Sequence, residues 1–246
     1  MDRTVKARWE RTSDEFQETA DVSVGFNWGW DGIDDEELLG TVDGQDVLEL
    51  GCGGGQDTVA LAERGASVTG IDLSREQLGH AVALFDDYDL ESEIDVVEGT
   101  VTELPFADDR FDLAFNTWVF QWVPDLRACF AETHRVLRSG GRLVFSMPHP
   151  FFSLVDPDTH ELEESYFDTG RHVVVDQRDD YPDLVTYRRR VSDIYNALEE
   201  TGFDVDRLLE PGSSDPDDHE AGPWGESPPE LRAKLPRVLI VAATAQ

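Results

Sequence analysis

The chain has 246 residues, 53 of them Asp or Glu against 20 Lys or Arg, which gives a formal net charge of −33. This length suits one hydrophobic core, and with no Pro/Ser-rich linker ahead of residue 45 a single domain is expected over 1–246. Such acidity argues against nucleic acid as a partner in ordinary salt, where phosphate neutralisation supplies most of the affinity; the argument weakens in molar salt, where the screening length falls to about 3 Å. Only Lys6 and Lys234 are lysines, so the positive charge is nearly all arginine. The composition is that of a protein working in concentrated salt, with the acid excess serving solvation.

Cys52 and Cys129 are far apart and lack metal-ligand spacing, so neither a disulfide nor a zinc site is expected, and the six histidines form no H-x-x-x-H pair. No N-terminal apolar segment resembles a secretion signal. The longest clear apolar run, Val238 to Ala245, is strand length rather than membrane length, and the expectation is a cytoplasmic protein without a membrane span.

Residues 1–40 read as an N-terminal helical cap. From residue 45 strands and helices alternate, the signature of a parallel sheet covered on both faces. Strand one is Asp46 to Leu50, followed by a helix from about Gln56 to Arg64 with Gly65 at its C-terminal cap. Strand two is Ser67 to Ile71. Ser74 with Gln77 three residues later spells a capping box, and Leu78, Val82 and Phe85 supply the buried stripe of the helix it opens. Ile94 to Val97 and Phe111 to Phe115 are strands three and four. A helix from about Asp125 to Arg138 places Leu126, Cys129, Phe130 and Leu137 on one face; Gly140-Gly141 ends it before strand five, Arg142 to Met147. Residues 148–190 are too long for a plain connection and read as a lid or substrate-binding insertion. A helix at Val191 to Thr201 and strands at Phe203 to Leu209 and Arg237 to Ala243 complete 191–246. Between those strands Pro211 to Glu230 is dense in Pro, Gly, Asp and Ser, and reads as a surface loop.

The chemistry concentrates where strand one meets Gly51-Cys52-Gly53-Gly54-Gly55, with Asp72 closing strand two. A glycine-rich turn lets backbone approach a ligand where a Cβ would clash, the following helix presents unpaired N–H groups there, and an acid after strand two takes ribose hydroxyls. A dinucleotide fold has the same logic. Its G-x-G-x-x-G, started at Gly51, meets Gln56 at the third glycine, whereas Glu49-x-Gly51-x-Gly53-x-Gly55 runs unbroken.

That spelling resembles motif I of the class I S-adenosylmethionine-dependent methyltransferases. Leu104-Pro105-Phe106-Ala107-Asp108, Phe111-Asp112 and Trp122-Val123-Pro124-Asp125 resemble a subgroup that includes ubiquinone-type and many small-molecule methyltransferases. The resemblance implies a Rossmann-like α/β core with a seven-stranded, mostly parallel sheet in order 3-2-1-4-5-7-6 and helices on both faces. It implies S-adenosyl-L-methionine as cofactor and a small-molecule acceptor. Carried over by position, Glu49, Gly51, Cys52, Gly53 and Gly55 form the turn beneath the methionine part. Asp72 takes the ribose diol, Leu73 lies against the adenine, and Thr100 and Val101 stand where the family commonly has an acid for the adenine amino group. Asn116 is expected beside the amino-acid end, and Trp118 to Trp122 at the mouth, although Trp118, Phe120 and Trp122 suit a core equally well.

Methyl transfer from a sulfonium is governed by alignment, and a hydroxyl or protonated amine acceptor additionally needs a base. His149, just beyond strand five at the carboxyl edge, is the first candidate, with His172 and Tyr166 as weaker ones; a buried histidine tied to backbone is the alternative for His149. Two other functions remain open on sequence alone: a non-catalytic cofactor-binding sensor or partner subunit, and an NAD(P)-dependent oxidoreductase.

Overall fold

In a computed structural model, residues 2–19, 23–90, 94–156, 159, 161–162, 164–219 and 228–246 are described. The expected alternation is present. The strands are β1 (Asp46–Leu50), β2 (Ser67–Asp72), β3 (Ile94–Glu98), β4 (Phe111–Thr117), β5 (Leu137–Pro148), a hairpin of β6 (Gly170–Val174) and β7 (Leu184–Arg188), then β8 (Phe203–Leu209) and β9 (Val238–Ala245). The helices are α1 (Arg3–Thr19), α2 (Asp35–Leu39), α3 (Gln56–Glu63), α4 (Arg75–Asp87), α5 (Leu126–Val136), α6 (Val191–Glu200) and α7 (Pro229–Arg232).

The seven-stranded sheet runs β3-β2-β1-β4-β5-β9-β8, which is the anticipated 3-2-1-4-5-7-6 once the hairpin strands are set aside. β9 is antiparallel to both β5 and β8, so its start lies at the same edge as the carboxyl ends of the parallel strands. Both faces are covered. Phe120, Phe130, Phe145 and Leu198 belong to one core cluster, whereas Val59, Leu61, Phe85 and Phe115 belong to the other. Each such side chain contributes about 1.5–3 kcal/mol by leaving water, which is why apolar runs such as Val238–Ala245 need no alternation.

Four local expectations are corrected. Val82 is exposed; the buried stripe of α4 is Leu78, Ala81 and Phe85, with Gln77 buried beside it. The capping box of α4 is half made: Ser74 Oγ accepts from Gln77 N at 3.2 Å, but the Gln77 side chain accepts from Gln17 Nε2 of α1 at 2.9 Å. Gly140-Gly141 does not separate helix from strand, because α5 ends at Val136 and β5 begins at Leu137. Leu137 pairs with Phe111, the register then slips, and pairing resumes at Leu113 with Arg142, so the glycines lie in a bulge where Gly140 takes φ +77°. Finally, residues 148–190 are not plain connection: they contain the β6–β7 hairpin, and β7 packs on α1. Of Pro211 to Glu230, residues 220–227 lie outside those described.

Candidate functional site

The carboxyl ends of β1, β2, β3 and β4 deliver their loops to one cavity of about 1180 Å³. The cavity is lined by Glu49, Gly51, Cys52, Gly53, Asp72, Leu73, Thr100 and Val101, eight residues expected from the sequence, and by Gly54, Asp57 and Thr117, which were not.

The turn after β1 is shaped by steric limits that differ at each glycine. Gly51 (φ +77°) lies against Val119, whose methyls would be 2.6 and 2.8 Å from an added Cβ. Gly53 (φ +51°) faces open space, with Gln77 Oε1 at 3.8 Å as its nearest neighbour, so a ligand can approach its backbone. Gly55 does not line the cavity. Its φ is +83° and an added Cβ would strike Phe85 at 2.6 Å, so this glycine lets α3 pack closely on α4; the binding role expected of it passes to Gly54.

Three carboxylates gather around that cradle. Both oxygens of Asp72 take backbone N–H groups, Oδ2 from Gly53 at 3.0 Å and Oδ1 from Ser74 at 2.8 Å. Each carboxylate oxygen can accept a second bond, so the side chain is oriented and still able to take a diol. Burial pushes the Asp72 carboxyl up to about 6. Glu49 is buried, accepts a short hydrogen bond from Thr58 Oγ1, and is raised well above the usual carboxylate range by burial and by the nearby charge of Asp57. Asp57 is itself raised by burial, and Thr117 Oγ1 donates to it at 2.7 Å. Unoffset negative charge in a desolvated site favours a cationic ligand, such as a sulfonium or an ammonium. The acids fit the positively charged cofactor implied by the glycine turn, and poorly fit a dinucleotide pyrophosphate.

Asn116 is corrected. It is fully buried and absent from the cavity wall; its amide atoms have no hydrogen-bond partner among the described residues. Alternation along β4 turns it to the face of Ala114 and puts Thr117 at the site. The aromatic segment after β4 divides. Phe120 is core, packed against Phe145 at 4.7 Å between ring centres, whereas Trp118 and Trp122 line the cavity. Trp118 adopts φ +57°, an uncommon conformation for a bulky residue, and its indole N–H donates to Asn27 O at 2.8 Å.

The histidine expectations also change. His149 is buried and does not line the cavity: its Nδ1 accepts from Phe151 N at 3.1 Å and its Nε2 faces Glu210 Oε1 at 2.8 Å. That is the tied, buried arrangement, and burial holds its pKa below the ordinary value. His172 faces Arg188, and Tyr166 Oη accepts from Val191 N at the start of α6; neither lines the cavity. The histidine that does is His219, inside the stretch read as a surface loop. Its Nε2 lies 2.9 Å from Ser213 O and its ring meets Trp30 edge-on. A nitrogen facing a carbonyl carries the proton, so Nδ1 is left as the basic atom. No signal in the sequence separates His219 from other loop polar residues.

The remaining wall comes from α1 and the β6–β7 region, through Arg8, Trp9, Phe16, Arg178 and Leu184. Arg8 bonds Asp176 at 3.0 Å and Pro182 O at 2.7 Å, while Arg178 pairs with both Glu15 and Asp176. On the other side, Gln17 bonds both Gln77 and Gln56. Together these contacts hold α1 between the cofactor loops and the hairpin.

Residues 48–145 match the family described as a methyltransferase domain. The chain belongs to the class I S-adenosylmethionine-dependent methyltransferases. S-adenosylmethionine is accordingly the cofactor of this domain, and the acid-ringed glycine cradle is its fitting site. Among curated relatives, the ubiquinone biosynthesis O-methyltransferase of Pseudomonas entomophila is 35% identical over 142 residues, covering 56% of this chain and 56% of the relative. The malonyl-[acyl-carrier protein] O-methyltransferase of Hahella chejuensis is 38% identical over 133 residues, covering 52% and 44% respectively. The chain thus spans about half the length of the curated relatives it matches. A solved S-adenosylmethionine-dependent methyltransferase from Mesorhizobium loti superposes with a TM-score of 0.67 at 27% identity, covering 85% of this chain and 94% of that one. Among the described residues, no helix is long and apolar enough to cross a membrane.

Proposed function

We propose that this methyltransferase transfers a methyl group from S-adenosylmethionine to a small-molecule acceptor. The observation that carries the reading is the convergence, in one cavity, of a glycine cradle ringed by Glu49, Asp57 and Asp72 with an aromatic wall of Trp9, Trp118 and Trp122. The cofactor supplies an activated methyl group on a sulfonium. The chain's part is chiefly orientation: Asp72 fixes the ribose end, Glu49 and Asp57 offset the cofactor's positive charge, and the aromatic wall excludes water and aligns the acceptor. Holding a nucleophile in line at about 3–3.5 Å is worth roughly 7–11 kcal/mol of barrier. Where the acceptor is a hydroxyl or ammonium, His219 Nδ1 takes its proton; His149 is too enclosed for that task. Residues 148–190 and α1 close the acceptor side, a reading supported by Arg178 and Leu184 on the cavity wall and by the Arg8–Asp176 pair.

Incubating a native extract with methyl-labelled cofactor and the protein in molar KCl should yield a labelled small product that is lost with Asp72→Ala. Cofactor bound in stoichiometric amount, with no labelled product and no S-adenosylhomocysteine formed, would instead identify a non-catalytic cofactor sensor.

A further inference from the structure

Arginine placement at the far end of the cavity goes beyond cofactor binding. β9 is antiparallel, so Arg237, the residue before it, stands at the carboxyl edge of the sheet beside Trp118. Its guanidinium carbon is 5.7 Å from the centre of the Trp118 ring. Arg232, on α7, is buried and lines the same wall, together with His219 and Trp30. The two guanidiniums are near enough that burial first, and then the charge of Arg237, lower the pKa of Arg232; burial lowers that of Arg237 as well.

Two like charges brought together in a partly desolvated wall repel each other, and an anion that meets both converts that repulsion into binding energy. The acids of this wall, Asp31 and Asp218, are both exposed to solvent, and Asp218 accepts from Ser213 Oγ at 2.6 Å. In a chain with 53 acids and 20 bases, two neighbouring arginines facing inward at an aromatic surface are not a sample of the average surface. The opposite end of the cavity, at Glu49, Asp57 and Asp72, carries the reverse charge, so the cavity is polarised from end to end.

We infer that Arg232 and Arg237 form an anion subsite over Trp118, and that the methyl acceptor is an apolar or aromatic molecule bearing a carboxylate or phosphate. The inference rests on the methyltransferase reading, which it narrows to a substrate class. Guanidinium binds either anion through paired N–H donors, while Trp118 and Trp30 take the apolar body.

The test uses the full-length protein in molar KCl with S-adenosylhomocysteine present and three probes of similar shape: 4-fluorophenylacetate, 4-fluorophenyl phosphate and neutral 4-fluorophenylacetamide, followed by fluorine NMR line broadening. At least one anion should bind tenfold or more tightly than the amide. Arg237→Gln should erase that preference and Arg237→Lys should restore part of it, with S-adenosylhomocysteine affinity unchanged within about twofold in both. The stronger of the two anions tells carboxylate from phosphate. Equal binding of anions and amide, absence of binding by either anion, or a preference that survives Arg237→Gln would overturn the subsite. Because Arg232 is buried, Arg232→Gln is read only alongside its thermal midpoint, and the Arg237 pair decides the outcome. Failure of S-adenosylhomocysteine to bind the unaltered protein would overturn the cofactor reading instead, so the two failures are distinguishable.

Discussion

The cofactor end and the acceptor end of the cavity are built in different ways. The cofactor end is made by short loops at the tips of four adjacent parallel strands, where backbone N–H groups and a glycine turn fix the geometry and acids set the charge. The acceptor end is assembled from α1, the β6–β7 region, the loop before α7 and the start of β9, segments far apart in the chain and joined by side-chain contacts such as Arg8–Asp176 and Arg178–Glu15. The first kind of site tolerates little change in main-chain shape. The second can be re-specified one side chain at a time, which is how a common fold serves many acceptors.

The contrast breaks most visibly if a Cβ fills the cradle. Gly53→Val puts a branched side chain into the open space above a left-handed residue, and S-adenosylhomocysteine affinity should fall at least about 100-fold, with the fold retained in circular dichroism. If affinity drops less than tenfold, the ligand does not approach Gly53. Next in size is Asp72→Ala, which removes the oriented acceptor for the ribose diol together with its bonds to Gly53 and Ser74. Calorimetry should show a loss of about 10- to 100-fold, as expected for hydrogen bonds to a charged group. A smaller effect sharpens the electrostatic side of the comparison. Because Asp72 in the free protein titrates near 6, a ligand that favours its ionised form must displace a proton below that pH. Cofactor affinity should therefore be level above about pH 7 and weaken by up to tenfold per unit below 6, with proton release on binding at pH 6 in buffers of different ionisation heat. Affinity independent of pH from 5 to 8 would mean that Asp72 is not a ligand contact.

The same division governs what the sequence disclosed. Strand order, the glycine turn and Asp72 were legible because each depends on local rules: an apolar run five or six residues long, a turn that demands positive φ, an acid at a strand end. Asn116 was misplaced because the exit of β4 turns on the strand's alternation, and a shift of one residue exchanges core for site, giving Thr117 the role. Gly55 belongs to a glycine run in which only the tertiary neighbours, Phe85 for one and open space for another, separate packing from binding. His149 satisfied a positional rule at the carboxyl edge, yet Glu210, 61 residues away in the chain, encloses it. His219 and Arg237 were invisible as site residues, since nothing local marks a loop histidine or the residue ahead of the last strand as facing a cavity. Ser74 and Gln77 show an intermediate case: the cap formed, but the glutamine side chain was taken by Gln17, 60 residues earlier.

The central claim, that the loops after the first four strands hold S-adenosylmethionine rather than a dinucleotide, is tested most directly by calorimetry in molar KCl with S-adenosylhomocysteine and NADH on the unaltered protein and on Asp72→Ala. One equivalent of S-adenosylhomocysteine should bind the unaltered protein, Asp72→Ala should bind it at least tenfold more weakly, and NADH should give no saturable heat with either. Saturable NADH binding to the unaltered protein with no response to S-adenosylhomocysteine would contradict the account.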